Sequence, residues 1–297
     1  MTTVFSNPSL DDATRRQRLY AGQVMVYSAN PSSMAFIEHA REMITEAFGA
    51  GNPEIAQFDM PVEEFAAVLA DLKPKFIHHP QSKELIRALL TEFGCDPDQT
   101  YFDVPRLRTS TSDSYLTSGI SYAFHPHRDT WYSAPFCQLN WWLPIFPVVP
   151  ENVMAFHPRY WAQPVRNGSR HYDYDEWNRT SRHTAAQHIR ADTREQPKPE
   201  EPIELDPQVR VVPEVGGVLL FSGNQLHSTV PNTSGRTRYS IDFRTVYQPD
   251  VVNRQEAPNV DSECTGTTLR DFLRARDLER MPEEIALSYQ TEVRARV

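Results

Sequence analysis

The first third of the chain carries apolar side chains at helical spacing. Between residues 33 and 48 they recur three and four positions apart, which places them on one face of a helix that Gly49 can end. Pro61 can begin a second helix of the same kind, and a third ends at Gly94. We therefore predict that residues 1–95 form a helical support region.

The pattern then changes to short apolar runs separated by turns such as Gly216-Gly217. Short strands that are flanked by helices are typical of a β-sandwich or distorted barrel with helices on one outer face. We predict a mainly β, α+β fold. The predicted strands are 101–108, 118–124, 136–143, 153–156, 209–212, 218–221 and 236–247.

An irregular insertion, about 157–206, interrupts the strand-rich region. It is rich in arginine, tyrosine and tryptophan, but it also contains aspartate and glutamate. One interpretation is a lid that recognises an anionic substrate, and the other is a solvated, salt-bridged loop. We predict that 1–297 is a single domain, in which 96–250 is the core and 251–297 a C-terminal helical segment.

Composition excludes several classes of protein. The 297 residues have a net charge of −9, which argues against a nucleic-acid partner. No run approaches the roughly 18 apolar residues of a membrane span, and the first residues do not resemble a secretion signal. The cysteines are Cys95, Cys137 and Cys264, and they form no paired motif. We expect reduced thiols, a cytoplasmic location and no membrane partner; the oligomeric state is left open.

Potential metal ligands occur at two places. His127 and Asp129 are two residues apart, so an extended chain projects both to one side. His227 follows a predicted strand and a short polar loop. Two imidazoles and one carboxylate on one face of a metal are typical of non-haem Fe(II) oxygenases, because three coordination positions stay open. The alternative for His127 and Asp129 is a hydrogen-bonded pair at a strand end.

A candidate carboxylate site lies on the strand after His227. Arg238 and Ser240 share one face of that strand, and an arginine can bind a carboxylate with two hydrogen bonds. This is where the tail of 2-oxoglutarate would need an anchor. The other face is apolar, so a covered Arg238 would require an anionic partner. The alternative is a surface strand with alternating charges.

The chain between about 120 and 247 resembles the phytanoyl-CoA dioxygenase-like branch of the Fe(II)/2-oxoglutarate-dependent oxygenases. The resemblance implies a double-stranded β-helix (jelly-roll) core with helices packed outside. It rests on the order of His127-x-Asp129, Gln138–Leu143, Glu151–Pro158, Gly217–Phe221, His227-Ser228, Asn232–Ser234 and Arg238.

The resemblance implies that His127, Asp129 and His227 bind Fe(II) and that Arg238 binds 2-oxoglutarate, with O2 as the second co-substrate. Ser240 is added because it completes an Arg-x-Ser pair. The implied reaction is hydroxylation or desaturation of an unactivated C–H bond, with release of succinate and CO2. The lid interpretation of the insertion adds the expectation that the substrate is a small, anionic metabolite. Related halogenases have Ala or Gly at the position of Asp129, so its presence favours hydroxylation or desaturation.

Other polar and aromatic residues are candidates for ligand contacts. Gln138 and Asn140 alternate on one strand face and are predicted to contact 2-oxoglutarate, with a purely structural polar network as the alternative. His125, Trp131 and Arg159 are predicted to contact the substrate. A solvated histidine and a tryptophan packed in the core are the alternatives for the first two.

Two other functions remain open at this stage. One is a cupin-like protein that binds a metal or another ligand without oxygenase turnover. The other is a non-oxidative metal-dependent hydrolase or isomerase that uses the same residues. The latter would not need the carboxylate anchor of Arg238 and Ser240.

Overall fold

The protein is a mixed α/β structure with a β-sheet core. The structure, a computed structural model, describes residues 3–121, 123, 125–180, 194 and 196–296. In this part of the chain the helices are α1 (Asp12–Tyr20), α2 (Pro31–Phe48), α3 (Val62–His78), α4 (Pro80–Glu92), α5 (Tyr174–Thr180), α6 (Gln248–Asn253) and α7 (Glu283–Arg296). The strands are β1 (Val4–Ser6), β2 (Val24–Tyr27), β3 (Thr100–Phe102), β4 (Arg106–Ser110), β5 (Leu139–Pro144), β6 (Met154–Phe156), β7 (Val209–Arg210), β8 (Val218–Ser222), β9 (His227–Thr229), β10 (Arg238–Tyr247) and β11 (Leu273–Arg274).

The strands form a large and a small sheet. The large sheet has the order β1-β2-β8-β5-β10-β3-β11, with β4 also paired to β10, and the small sheet has the order β7-β6-β9. An isolated bridge between His127 and His227 extends the small sheet. Phe156 of β6 meets Phe221 of β8 edge to face at 4.9 Å between ring centroids. The two sheets therefore pack against each other through an apolar layer.

The long strand β10 separates an apolar layer from a charged one. Its residues 239, 241 and 243 are aromatic or aliphatic and fully buried in the main hydrophobic core, which also contains α2, α3 and α4. The intervening residues 238, 240, 242 and 244 are polar and, because side chains alternate along a strand, point to the opposite side. The charged face of β10 therefore points into the space between the sheets.

The helices predicted in the N-terminal part of the chain are present in the structure. In α2 the side chain of Asn30 accepts a hydrogen bond from the Ser33 amide, and the Ser33 hydroxyl accepts one from the Asn30 amide, which together form a capping box. The helix ends at Gly49, whose φ of 59° suits glycine. The third and fourth helices begin close to the predicted positions, at Val62 and Pro80.

Several predicted elements differ from the structure. The predicted strand 118–124 is wrong: Gly119–Ser121 is a 3-10 turn, and residues 122 and 124 lie outside the described residues. The predicted strand 101–108 is interrupted at residues 103–105, where Pro105 has no amide hydrogen to donate to a sheet. The helix α1 was not predicted.

The balance of helix and strand also differs from the expectation. Helices hold more of the described residues than strands do, so α+β describes the protein and mainly β does not. The jelly-roll topology and the single-domain organisation stay predictions at this point. In the described part of the chain, no helix has both the length and the apolar character needed to cross a membrane.

The described parts of the insertion contain short helical turns rather than strands. Its first half includes the 3-10 turns Pro158–Trp161 and Gly168–His171 and the helix α5. Residues 181–193 and 195 lie outside the described residues.

Candidate metal centre

Three buried side chains converge where the small sheet meets the loop after residue 222. The Nε2 atom of His127 lies 3.5 Å from Oδ1 of Asp129, and Nε2 of His227 lies 4.0 Å from the same oxygen. One potential ligand atom from each residue lies within 4.8 Å of the others, which suits a shared metal ion. The structure therefore brings the three predicted metal ligands together.

Backbone pairing aligns the two segments that carry these ligands. The amides of His127 and His227 each donate to the carbonyl of the other, at 2.9 and 3.0 Å. The Asp129 amide donates to the Gly223 carbonyl at 2.9 Å, in the loop that leads to β9. Because these contacts use only backbone atoms, the arrangement does not depend on the imidazole and carboxylate groups themselves.

Both imidazoles are oriented by the same local contact. Nδ1 of His127 lies 2.9 Å from the His125 carbonyl, and Nδ1 of His227 lies 2.9 Å from the Gln225 carbonyl. A carbonyl can only accept, so each Nδ1 carries the proton and each Nε2 presents its lone pair toward Asp129. Burial and the neighbouring His127 lower the pKa of His227 to about 4, so this imidazole is neutral and able to bind a metal at neutral pH.

The two oxygens of Asp129 have different surroundings. Oδ1 faces the imidazoles, whereas Oδ2 accepts hydrogen bonds from Gln138 Nε2 at 3.0 Å and Asn140 Nδ2 at 2.6 Å. Arg244 Nε lies 3.9 Å from Oδ2. Burial alone would raise the pKa of Asp129, but the positive charge of the nearby Arg244 acts against it and the pKa is lowered. Asp129 is therefore an anion with Oδ1 directed at the metal position.

These contacts bear on the expectation that Gln138 and Asn140 bind 2-oxoglutarate. In the structure both amides bind the carboxylate of Asp129, and Gln138 Nε2 also donates to Asn140 Oδ1 at 3.0 Å. The polar network that was the alternative is thus present. Any additional contact of either residue with 2-oxoglutarate stays a prediction.

Arg238 and Ser240 present buried polar atoms that lack partners. In the described part of the chain, neither Arg238 Nε nor Ser240 Oγ has a hydrogen-bond partner, and both atoms are inaccessible to water. A polar group left unsatisfied in this way costs about 1–3 kcal/mol. Burial lowers the pKa of Arg238 to about 10, so it remains a cation at neutral pH. The donor set therefore fits a bound carboxylate.

The three residues predicted to contact substrate lie in different surroundings. His125 Nε2 donates to the Pro197 carbonyl at 2.7 Å, in the final part of the insertion. Trp131 is fully buried in a small apolar cluster, so its position favours the packing role. Arg159 forms an ion pair with Glu204 on the surface. The substrate contacts of these residues stay predictions.

A buried ion pair beside the metal ligands was not predicted from the sequence. Arg128, which lies between His127 and Asp129, donates from Nε to both oxygens of Asp261, at 3.0 and 3.1 Å. Its Nη1 donates to the Asn224 carbonyl at 2.7 Å, in the loop before His227. Arg128 thus connects both ligand-bearing segments to the C-terminal region. No local pattern could have indicated a partner 133 residues away.

Asp261 is expected to position the metal ligands without touching the metal. Replacing Asp261 with Asn should weaken Co(II) binding roughly 10-fold to 100-fold, the range usual for partners behind the ligands, because Arg128 loses its counter-charge. Titration followed by the visible absorption of Co(II) measures the affinity and reports a changed ligand geometry. Asp71→Asn, on the exposed part of α3, is the control. An unchanged affinity and spectrum in Asp261→Asn would contradict the positioning role.

Comparisons with known proteins return distant structural likenesses. No family model and no curated protein sequence matches the chain. One similar solved structure is EvdO2 from Micromonospora carbonacea var. aurantiaca complexed with 2-oxoglutarate, at 13% identity and a TM-score of 0.46, covering 81% of this chain and 92% of that one. Another is the epimerase SnoN in complex with Fe3+, alpha ketoglutarate and nogalamycin RO, at 15% identity and a TM-score of 0.40, covering 86% and 97%.

Proposed function

We propose that the protein is a non-haem Fe(II)/2-oxoglutarate-dependent dioxygenase of the phytanoyl-CoA dioxygenase-like branch. The observation that carries the proposal is the pairing of two features. A facial set of two imidazoles and one carboxylate lies at one end of the intersheet space, and a buried, unsatisfied arginine and serine lie on the inward face of β10. A non-oxidative hydrolase or isomerase would need the metal ligands but not the buried arginine and serine.

The strand order supports a double-stranded β-helix. Along the chain, β4, the segment of His127, β5 and β6 alternate between the large and small sheets. The strands β7, β8, β9 and β10 then alternate in the opposite sense, starting from the small sheet. This succession is that of a jelly roll, and it would place metal ligands and co-substrate anchor inside one barrel.

The residues of this chain would hold the reactants in a fixed arrangement. Nε2 of both histidines and Oδ1 of Asp129 would bind one face of Fe(II), and Arg238 with Ser240 would bind the distal carboxylate of 2-oxoglutarate. When bound, iron and 2-oxoglutarate supply the oxidation by O2 that yields succinate, CO2 and a hydroxylated or desaturated product.

The substrate would be a small, anionic metabolite, with the insertion as a lid. The Pro197 carbonyl accepts hydrogen bonds from His125 at 2.7 Å and from the Tyr132 hydroxyl at 3.1 Å. The Tyr132 ring also meets the His127 imidazole edge to face. The last part of the insertion is therefore attached beside the metal ligands.

Since the cysteines of this chain are free thiols, we propose a reducing compartment, the cytoplasm.

Closure of the insertion is expected to protect it from proteolysis. In the metal-free protein, trypsin should cut after Arg166, Arg170 or Arg179, which are exposed. Zn(II), 2-oxoglutarate and a substrate together should slow these cuts more than Zn(II) and 2-oxoglutarate alone, because a lid closes over bound substrate. Mass spectrometry of the fragments measures the rates, and cleavage after Arg276 serves as the internal control. Equal cleavage in both states would show that the insertion is a solvated loop.

The oxygenase activity itself is tested by succinate release. A screen of a metabolite pool should reveal compounds that stimulate conversion of labelled 2-oxoglutarate to succinate in the presence of Fe(II), ascorbate and O2. Activity should vanish under argon, with Zn(II) in place of Fe(II), and in Asp129→Ala. A protein that binds metal but never 2-oxoglutarate would instead be a cupin-like binding protein or a non-oxidative enzyme.

A further inference from the structure

A row of alternating charges leads away from the metal ligands across the inward face of the large sheet. Arg244 Nε lies 3.9 Å from Asp129 Oδ2, and its Nη2 lies 3.9 Å from Asp242 Oδ2. Asp242 in turn accepts hydrogen bonds from Arg108 Nε at 2.8 Å and Nη2 at 3.3 Å. The Arg108 guanidinium is thus separated from the metal ligand Asp129 by two intervening side chains.

The Arg108 end of this row is accessible to solutes. About 32% of the Arg108 side chain is exposed, together with 22% of Arg244 and 19% of Asp242. Ser240 is fully buried by contrast, although it lies directly opposite Arg108 in the pairing of β4 with β10. The anchor proposed for 2-oxoglutarate therefore lies deep in the barrel, and Arg108 lies on the same face at a more open position.

The charges in this space do not balance. The described charged side chains on the inward face of the large sheet comprise four cations and three anions. The cations are the arginines at 106, 108, 238 and 244, and the anions are the aspartates at 103, 129 and 242. Fe(II) and the dianion of 2-oxoglutarate cancel each other, so their binding leaves one positive charge in excess. Buried charges require partners, which indicates that the remaining reactant carries one negative charge.

A lysine behind β4 does not reverse this balance. Lys73 Nζ donates to Thr109 Oγ1 at 3.1 Å, on the outer side of the strand. Burial, followed by the nearby Arg108, lowers the pKa of Lys73 to about 7. Its amino group lies outside the space in which the charges were counted, and it adds no negative charge to that space.

Two arginines in the described part of the insertion already have acidic partners within the insertion, and a third is bound to a backbone carbonyl there. Arg159 pairs with Glu204, and Arg170 pairs with Glu200 at 2.8 Å. Arg166 donates from its Nη2 to the Glu200 carbonyl at 2.7 Å. Recognition of an anion by these arginines would have to displace these contacts. Arg108 also has a partner, Asp242, but it lies on the inward face of the large sheet and is partly exposed there.

We propose that Arg108, oriented by Asp242, binds a carboxylate of the substrate and thereby places a nearby C–H bond at the metal. The inference rests on the proposed function and specifies its substrate class as a small monocarboxylate. A guanidinium matches a carboxylate geometrically, and a phosphate monoester would bring close to two negative charges at neutral pH. Arg108 is then the residue that determines specificity, and Arg238 the one that retains the co-substrate.

Paramagnetic relaxation of a carboxylate probe tests the proposal. The protein is loaded with Co(II) and 2-oxoglutarate, and sodium acetate is titrated while the relaxation rate of its methyl protons is measured, with acetamide as the neutral control. Acetate should show saturable relaxation by Co(II), and acetamide should not. Arg108→Gln should weaken acetate binding at least about 10-fold and leave the affinity for 2-oxoglutarate within about twofold, since a charged hydrogen bond is lost at one site only.

Matched variants identify the site. Arg276→Gln, at an exposed arginine that pairs with Asp98 on the surface, should bind acetate as the unchanged protein does. Acetate binding that survives Arg108→Gln would overturn the proposal. The proposal would also be overturned if Arg108→Gln lost as much affinity for 2-oxoglutarate as Arg238→Gln does, because the carboxylate at Arg108 would then belong to the co-substrate. If Arg108→Gln does not fold, Arg108→Lys replaces it. A weaker affinity is expected there because an ammonium lacks the planar fork, and an unchanged affinity refutes the proposal.

Failure of the proposed function can be distinguished from failure of the carboxylate site at Arg108. If the unchanged protein binds Co(II) but not 2-oxoglutarate, the oxygenase proposal fails by itself. The acetate titration of the Co(II) protein then still compares Arg108→Gln with Arg238→Gln, and loss of binding only in the former supports the carboxylate site.

Discussion

His227→Ala is expected to abolish metal binding and turnover while the protein stays folded. The variant keeps two of three ligands, and the loss should exceed the roughly 100-fold that partners behind the ligands contribute. The fold should persist because His127 and His227 pair through backbone atoms that alanine retains. Calorimetric titration with Zn(II) and circular dichroism measure the two properties. The same results are expected for His127→Ala and Asp129→Ala.

A matched histidine variant separates this effect from a general loss of stability. His171→Ala removes an exposed imidazole in the insertion and should bind Zn(II) normally. Normal Zn(II) affinity in His227→Ala would remove this residue from the metal site. The assignment of the whole cluster would then be wrong, because His127 and Asp129 alone do not form a facial triad.

Arg238→Ala is expected to lower the affinity for 2-oxoglutarate strongly. Removing one partner of a desolvated charge pair costs about 2–5 kcal/mol, or roughly 30-fold to 4,000-fold in affinity. Titration of the Zn(II) protein with 2-oxoglutarate measures the dissociation constant, and the steady-state KM should rise in parallel. Zn(II) affinity should be unchanged, since Arg238 makes no contact with the three metal ligands in the described structure.

Thermal unfolding distinguishes a binding role of Arg238 from a structural one. Its Nε is buried without a partner, so Arg238→Ala removes an unsatisfied polar atom. The Tm of the ligand-free protein should therefore fall only by the amount that results from the lost packing against Trp142. Arg236→Ala is the control, because Arg236 is largely exposed beside Glu54. If only Arg236→Ala or Arg244→Ala weakened 2-oxoglutarate binding, the anchor would lie elsewhere on this strand.

The sequence predicted the parts of the site that depend on local geometry. The spacing of His127 and Asp129 and the alternation along β10 both follow from the extended backbone, and the structure contains both. The predicted strands 136–143 and 218–221 correspond to β5 and β8, because short runs rich in apolar residues are typical of buried strands. Arg238 and Ser240, which alternate with apolar residues on the predicted strand, indicated a carboxylate anchor before any contact of the arginine was known.

Contacts between distant segments were not predictable. Arg128 lies within a recognised motif, but nothing near it in sequence indicates that Asp261 neutralises it. Gln138 and Asn140 were predicted on one strand face. In the structure β5 begins only at Leu139, and it is the structure that shows both amides bound to Asp129. The predicted strand 118–124 was wrong because alternation in so short a segment cannot distinguish a strand from a turn.

The central claim is that one site binds Fe(II) and 2-oxoglutarate together, and anaerobic absorption spectroscopy tests it most directly. A 2-oxo acid bound to Fe(II) through its keto and carboxylate oxygens gives a visible charge-transfer band that neither component has alone. We predict that this band appears in the unchanged protein and saturates at one equivalent of each ligand. It should be absent from His227→Ala and require far more 2-oxoglutarate in Arg238→Ala. Binding of Fe(II) without any such band at saturating 2-oxoglutarate would contradict the account.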